Sequence, residues 1–261
     1  MFTLASRAAL AALFLGFLVP SAALAQRAPA QAQMSVLPER PGVRDLYVIA
    51  VAGWGSQRVF EREVSRVTAM MEERYDARGR TIRLVNTAQR QGATLASLSE
   101  ALRVVGQAMN PEEDVLFLFM TSHGAPNVGF ALEAQGEPFG QIGPMKLARM
   151  LDDAGIRNRV IVVSACYSGQ FVPTLANDDT LVITAAAADR SSFGCTDRAQ
   201  WTWFGEAFFL RALPETRRFI AAFRRARTIV GEMEEREQQT PSNPQISIGR
   251  RIAGVLREMG M

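Results

Sequence analysis

Arg159-Val160-Ile161-Val162-Val163-Ser164-Ala165-Cys166-Tyr167-Ser168-Gly169 is the stretch whose reading decides the fold. An apolar, β-branched run with no polar alternation reads as a strand buried on both faces, the pattern of a parallel sheet covered by helices. It delivers a cysteine, then Ser-Gly, at the carboxyl edge, where open α/β sheets place their chemistry. Cys166 is therefore a candidate nucleophile.

Working outward, Asp114-Val115-Leu116-Phe117-Leu118-Phe119-Met120-Thr121 is equally apolar and runs straight into Ser122-His123-Gly124. Residues 46–52 and 180–185 read as further buried strands, 81–86 as an edge strand, 129–132 as a short strand and 245–249 as a last one. Between them, apolar residues recur at helical spacing. Val59, Phe60, Val64, Val67, Met70 and Met71 define one helix ending near Tyr75, and Leu95, Leu98, Leu102 and Val105 give one face of another over 94–109. A third starts at Pro144 and stops near Gly155, an aromatic helix spans 201–213, and a charged one spans 216–238. The aromatic cluster around Trp201, Trp203 and Phe204 reads as core packing, and the charges of 232–238 as a solvated helix end. Alternating strands and helices of these lengths argue a mostly parallel sheet with helices on both faces.

The ends of the chain read differently. Residues 1–25 carry Arg7, an apolar run from Ala8 to Val19 and the sequence Ala23-Leu24-Ala25, the pattern of a cleaved signal peptide rather than a membrane span. This implies an exported protein, periplasmic or secreted, with no stable membrane insertion after cleavage. Residues 26–44 are rich in Ala, Gln and Pro and read as a flexible lead-in, with one large domain over 45–249 and a short amphipathic tail over 250–261. The formal charge of +3 is spread along the chain and leaves no nucleic-acid footprint. Composition alone favours a disulfide between the two cysteines, Cys166 and Cys195, of an exported chain.

The single histidine alters that balance. His123 follows one buried strand and Cys166 another, and parallel strands align their carboxyl ends, so the two converge on one sheet edge. A thiol nucleophile needs a base such as imidazole, and no other histidine is present to serve. The backbone N–H groups of Gly124 and Cys166 are candidate oxyanion donors, glycine leaving room for a carbonyl to approach.

Taken in order, Ser122-His123-Gly124 and Ser164-Ala165-Cys166 with Ser168-Gly169, each behind its apolar block, resemble the legumain family of cysteine peptidases, within the wider group that includes caspases. The likeness extends over about 45–249. It takes in Val51-Ala52-Gly53 with Trp54 and Arg58, Ile183-Thr184-Ala185, Asp189-Arg190-Ser191-Ser192-Phe193-Gly194-Cys195, and Phe204-Gly205-Glu206. The resemblance implies a three-layer caspase-like α/β fold with a mostly parallel six-stranded sheet, a His123–Cys166 dyad assisted by Gly124, and no metal or organic cofactor. It also implies a peptide or protein substrate cleaved after Asn or Asp. For the substrate pocket it suggests Arg58, Ser164, Ser192 and Glu206, with Arg58 and Glu206 as an ion pair presenting donors and acceptors to a carboxamide. Cys195 becomes a residue flanking that pocket rather than the partner of Cys166.

The chain departs from the family pattern in three places. Ser164 stands where legumains have glutamate, Val59 where they have histidine after the pocket arginine, and only Ser56 or Gln57 is available for an asparagine near the first loop. A transamidase using the same dyad, and a catalytically silent binding protein on the same scaffold, are the alternatives to a peptidase.

Overall fold

The computed structural model describes residues 34–134 and 139–261. The proposed signal peptide lies outside the described residues. The chain forms β1 (Leu46–Ala52), α1 (Arg58–Arg74), β2 (Thr81–Thr87), β3 (Arg90–Gln91), α2 (Leu95–Ala108) and β4 (Val115–Thr121). Three short strands follow, β5 (Gly124–Ala125), β6 (Gly129–Leu132) and β7 (Gly140–Ile142), then α3 (Pro144–Asp153) and β8 (Arg159–Ser164). Beyond β8 come a 3-10 turn (Ser168–Phe171), α4 (Val172–Leu175), β9 (Thr180–Thr184) and α5 (Trp203–Gly205), which continues as a π-helix (Glu206–Ala212) into α6 (Leu213–Thr216). The last elements are α7 (Phe219–Arg236), β10 (Gln245–Ile248) and α8 (Arg250–Glu258).

The main sheet has the order β10-β9-β8-β4-β1-β2-β3. β2, β1, β4, β8 and β9 run parallel, and β10 and the two-residue β3 close the edges antiparallel. Six strands were expected; β3 is the addition. It exists because Thr87 accepts the backbone N–H groups of Gln89 and Arg90 and turns the chain back on itself, so β2 is no longer the edge. A second sheet of order β5-β6-β7 hangs beyond the end of β4; its strands are too short for periodicity to reveal, and only 129–132 was legible.

Every residue of β1, β4, β8 and β9 is buried, as their unbroken apolar sequence requires. One face of the sheet packs on α1, the α5–α7 region and α8, with Phe117, Phe119, Val160 and Val162 meeting Phe209, Phe219 and Phe223. The other packs on α2, α3 and α4, with Leu118, Ile161 and Val163 meeting Leu98, Leu102 and Leu147. Helix α2 is started by a reciprocal Thr94–Ser97 capping box. Its apolar stripe is rotated from the expected one: Leu98, Ala101, Leu102 and Val105 are buried and Leu95 is 36% exposed. The aromatic cluster is core, as read, but the charged run of α7 is not all solvated. Glu234 is buried and accepts the N–H of Ser242 at 2.9 Å.

The segment 34–44, expected as part of a flexible lead-in, is docked on the domain. Leu37 N–H donates to Gly79 at 2.8 Å and Glu39 N–H to Ala108 at 2.9 Å. Its anchor is the fully buried Asp45 carboxylate, which accepts Arg40 N–H and Nε–H, each at 2.8 Å, and pairs with buried Arg80 at 3.2 Å. Arg80 in turn donates to the Pro38 carbonyl. Backbone hydrogen bonding, which has no compositional signature, holds this stretch. Tail helix α8 is likewise integrated through buried Ile252 and Leu256. Asp45→Ala should cost about 3 kcal/mol, because it strands a buried guanidinium, and should release the segment before β1. Urea denaturation and limited proteolysis at Arg40 and Arg44 will show both effects.

Candidate active site

The parallel register decides where the site lies. Ala52 of β1 is opposite Thr121 of β4, and Thr121 is opposite Ser164 of β8. Counting two residues outward along each strand puts Trp54, His123 and Cys166 in one row along the carboxyl edge, with the histidine in the middle. Gly124 confirms how closely the turns after β4 and β8 approach: a Cβ there would lie 2.2 Å from the Cys166 carbonyl oxygen and 3.2 Å from the Ala165 side chain. Only glycine fits.

His123 sits in a largely apolar setting, edge-on to Trp54 at 4.8 Å and to Phe60 at 5.4 Å between ring centroids. Burial pushes its pKa below the ordinary imidazole value. Its Nε2 contacts Gln57 Oε1. A carbonyl oxygen only accepts, so this contact matches the tautomer with its proton on Nε2 and its lone pair on Nδ1. Gln57 occupies the N-cap position of α1 yet makes no side-chain cap; its amide is used on His123 instead.

The Cys166 thiol accepts the N–H of Ser192 at 3.2 Å and lies 3.5 Å from the Ser192 carbonyl and 3.6 Å from its hydroxyl. Tyr167, next in the chain, is left-handed at φ 57°, a strained position for a side chain this large, and its N–H is held by the Arg190 carbonyl at 2.7 Å. The strand thus turns sharply immediately after the cysteine. Both cysteines are free thiols, and burial, with Cys166 as a second cause, pushes the Cys195 thiol up.

Two backbone donors at these strand ends are not used within the sheet. Ala131 N–H donates to the His123 carbonyl at 3.0 Å, which makes the Gly124–Phe130 pair of β5 and β6 a non-hydrogen-bonded one. The Gly124 N–H therefore points away from β6. Among the described residues the Cys166 N–H has no backbone acceptor.

Beneath the site lies a carboxylate that sequence reasoning missed. Glu63 on α1 is fully buried, accepting the Thr121 hydroxyl at 2.5 Å and the Thr202 N–H and hydroxyl at 2.8 and 2.7 Å. The Thr202 hydroxyl also accepts Gly205 N–H at 3.0 Å, capping α5, and lies 3.2 Å from the Ser164 hydroxyl. Having given its one proton to Glu63, Thr202 can only accept from Ser164. Gly205 is required here too, since a Cβ would fall 2.0 Å from Glu63 Oε1. Helical periodicity placed Val59, Phe60 and Val64 on the buried face of α1; Glu63 lies on that same stripe, and a charge there was the available signal.

The residues expected around a substrate pocket are divided by this arrangement. Ser192 touches the thiol. Ser164 is buried, its hydroxyl spent on Thr202, so it forms a floor rather than a surface. Glu206 lines a cavity of about 410 Å³ with Phe193, Gly194 and Trp203, and Arg58 is not among its lining residues. The expected Arg58–Glu206 ion pair is not formed: Glu206 reaches Arg211 at 3.9 Å, and Arg58 is exposed with no ion-pair partner among the described residues. Val59 and Phe60 claim the inward face of the first turn of α1 and leave Arg58 turned to solvent.

The peptidase C13 family model matches residues 95–254, a span that contains both His123 and Cys166. The chain belongs to the peptidase C13 family. No curated protein matches it. Among solved structures it is similar to caspase-1 from Spodoptera frugiperda, with a TM-score of 0.52 and 11% identity over 83% of this chain and 94% of that one. At that identity the likeness is one of fold. Membership of C13 makes this C13 chain a cysteine-type peptidase with a caspase-like α/β sheet, as the strand-end motifs led one to expect.

Among the described residues no group of three or more His, Cys, Asp or Glu side chains is placed to hold a metal ion.

Burial holds the Glu63 carboxyl above its ordinary range, ahead of the opposing hydrogen bonds from Thr121 and Thr202. The folded protein then binds the proton more tightly than the unfolded chain. Glu63 contributes stability below the unfolded carboxyl pKa, and that contribution is lost as pH rises through the folded one. Subtracting the stability of Glu63→Gln from wild type should therefore give a difference that shrinks with rising pH. Glu63→Ala, which leaves three donors without an acceptor, should cost about 3 kcal/mol at neutral pH. Denaturant titrations from pH 4 to 8 check both; a difference that grows with pH would show that the carboxylate, not the acid, is the favoured buried form.

Proposed function

We propose that His123 and Cys166 are the catalytic dyad of an exported endopeptidase that cleaves after asparagine or aspartate. The observation that carries this reading is the row across the strand ends, in which the only histidine neighbours a cysteine through adjacent, in-register strands. In the mechanism, His123 Nδ1 takes the Cys166 proton and the thiolate attacks the scissile carbonyl. The N–H groups of Gly124 and Cys166 receive the developing oxyanion. The imidazolium returns its proton to the leaving nitrogen, and water, deprotonated by the same imidazole, releases the acyl group from sulfur.

Gln57 is a positioning residue in this scheme, holding the tautomer through Nε2. Ser192 borders the acyl side of the thiol. Glu206, in the cavity it lines with Phe193 and Gly194, offers an acceptor to the N–H groups of an asparagine carboxamide. Ser164 contributes from below through Thr202, with Glu63 supplying, one hydroxyl away, the carboxylate that the family pattern would have put at position 164. Export rests on residues 1–25 and gives a mature chain beginning at Gln26, which amino-terminal sequencing of the exported protein tests.

Cys166→Ala and His123→Ala should each abolish turnover of a P1-randomised peptide library while leaving the unfolding transition in place; near wild-type cleavage by either variant would overturn the dyad. Wild type should release products ending in Asn or Asp, and a different carboxyl-terminal residue would reassign the pocket. Because burial lowers the His123 pKa, the acidic limb of kcat/KM should have its midpoint below 6.5, the ordinary imidazole value. Gln57→Ala should lower kcat about tenfold and move that limb, whereas a purely structural role would leave the limb where it is.

A further inference from the structure

We propose that Trp54 and Phe139 form a subsite for the leaving-group side of the substrate, taking an apolar side chain at the first or second position after the scissile bond. The inference rests on the reading of His123 as the group that protonates the leaving nitrogen. That role fixes direction: the departing half of the peptide must lie against His123, and the acyl half against Cys166 and Ser192.

The sheet edge shows what lies on the departing side. In the row Trp54, His123, Cys166, tryptophan is the next residue beyond histidine, and its ring meets the imidazole edge-on at 4.8 Å. Phe139 adjoins Trp54, its ring 6.2 Å away and tilted by 69°. Three rings thus lead from the partly buried imidazole to solvent. Phe139 is 57% exposed, an unusual position for a phenylalanine beside a catalytic centre and one that leaves a face open.

This wall is fixed in place. On either side of Trp54 the backbone is tied to Glu133: Glu133 N–H donates to the Gly53 carbonyl at 2.7 Å, and Gly55 N–H to the Glu133 carbonyl at 2.8 Å. The Glu133 carboxylate accepts the Ser56 hydroxyl at 2.9 Å and rims the same corner. A ligand side chain entering here meets two aromatic rings, with the Glu133 carboxylate at the rim. That chemistry suits leucine, phenylalanine, tyrosine or tryptophan and opposes aspartate and glutamate.

The test uses the full exported chain and a mixed peptide library, digested and then sequenced from the newly formed amino ends. Each new end reports the leaving-side residues directly, so the acyl-side preference need not be known. Wild type should enrich large apolar residues at the first or second position by about fivefold over the input, the size of one aromatic contact. Phe139→Ser, at an exposed position, should bring the enrichment down toward the input, and Phe139→Tyr should preserve it. New ends without apolar enrichment, or the same enrichment in Phe139→Ser, would overturn the subsite while leaving the dyad standing. The absence of any new ends with wild type would instead overturn the dyad and the subsite with it.

Discussion

The register of β4 against β8 is the constraint on which the rest of this molecule depends. Thr121 faces Ser164, and both strands are buried on both faces, so each side chain has one acceptable side of the sheet. A slip of one residue would send His123 and Cys166 to opposite faces. Two-sided burial makes such a slip costly along the whole strand, and thereby converts hydrophobic packing into the placement of the His123 and Cys166 side chains. The strand order adds the opening, since the chain leaves β1 toward β2 and returns on the other side through β4, creating the crevice that open α/β sheets use.

A second constraint sits under the first. Glu63 joins α1, the end of β4 and the start of α5 through hydrogen bonds to Thr121 and Thr202, and Thr202 passes the connection to Ser164. The segment that touches sulfur is tied to the same point, because Trp203 N–H donates to the Phe193 carbonyl at 3.0 Å, one residue after Ser192. Burying a carboxylate is expensive in the absence of a cation. The cost falls on the element that holds the pocket floor and the thiol's hydrogen-bond donor in one frame. Ser164, just before Ala165-Cys166, joins this frame through the Thr202 hydroxyl.

The site was legible in part. That His123 and Cys166 lie at neighbouring strand ends could be read because each ends a run apolar enough to be a buried strand. Gln57 was visible only as one of two stand-ins for a missing asparagine, since nothing in a coil residue says whether it caps a helix or turns to a neighbouring ring. The Arg58–Glu206 pair was implied by the family resemblance and is not formed, as Arg58 faces solvent beside the buried Val59 and Phe60 while Glu206 reaches Arg211. Segment 34–44 looked flexible by composition but is held by main-chain hydrogen bonds and by Asp45, neither of which periodicity registers.

What the amino-acid sequence determined by itself is what hydrophobic pattern controls: which segments are buried strands, that they lie parallel between helices, and that a histidine and a cysteine emerge at one edge. These follow from local burial, which each run of residues expresses without reference to any other. The tertiary structure alone decided which polar groups meet. The contact of Gln57 with His123, the Ser192 N–H on sulfur, the Glu63 network and the aromatic wall of Trp54 and Phe139 all join residues far apart in the chain. Hydrogen bonds and ring contacts of this kind are short-ranged and directional, so they come into being only when the packed elements bring both partners to the same place.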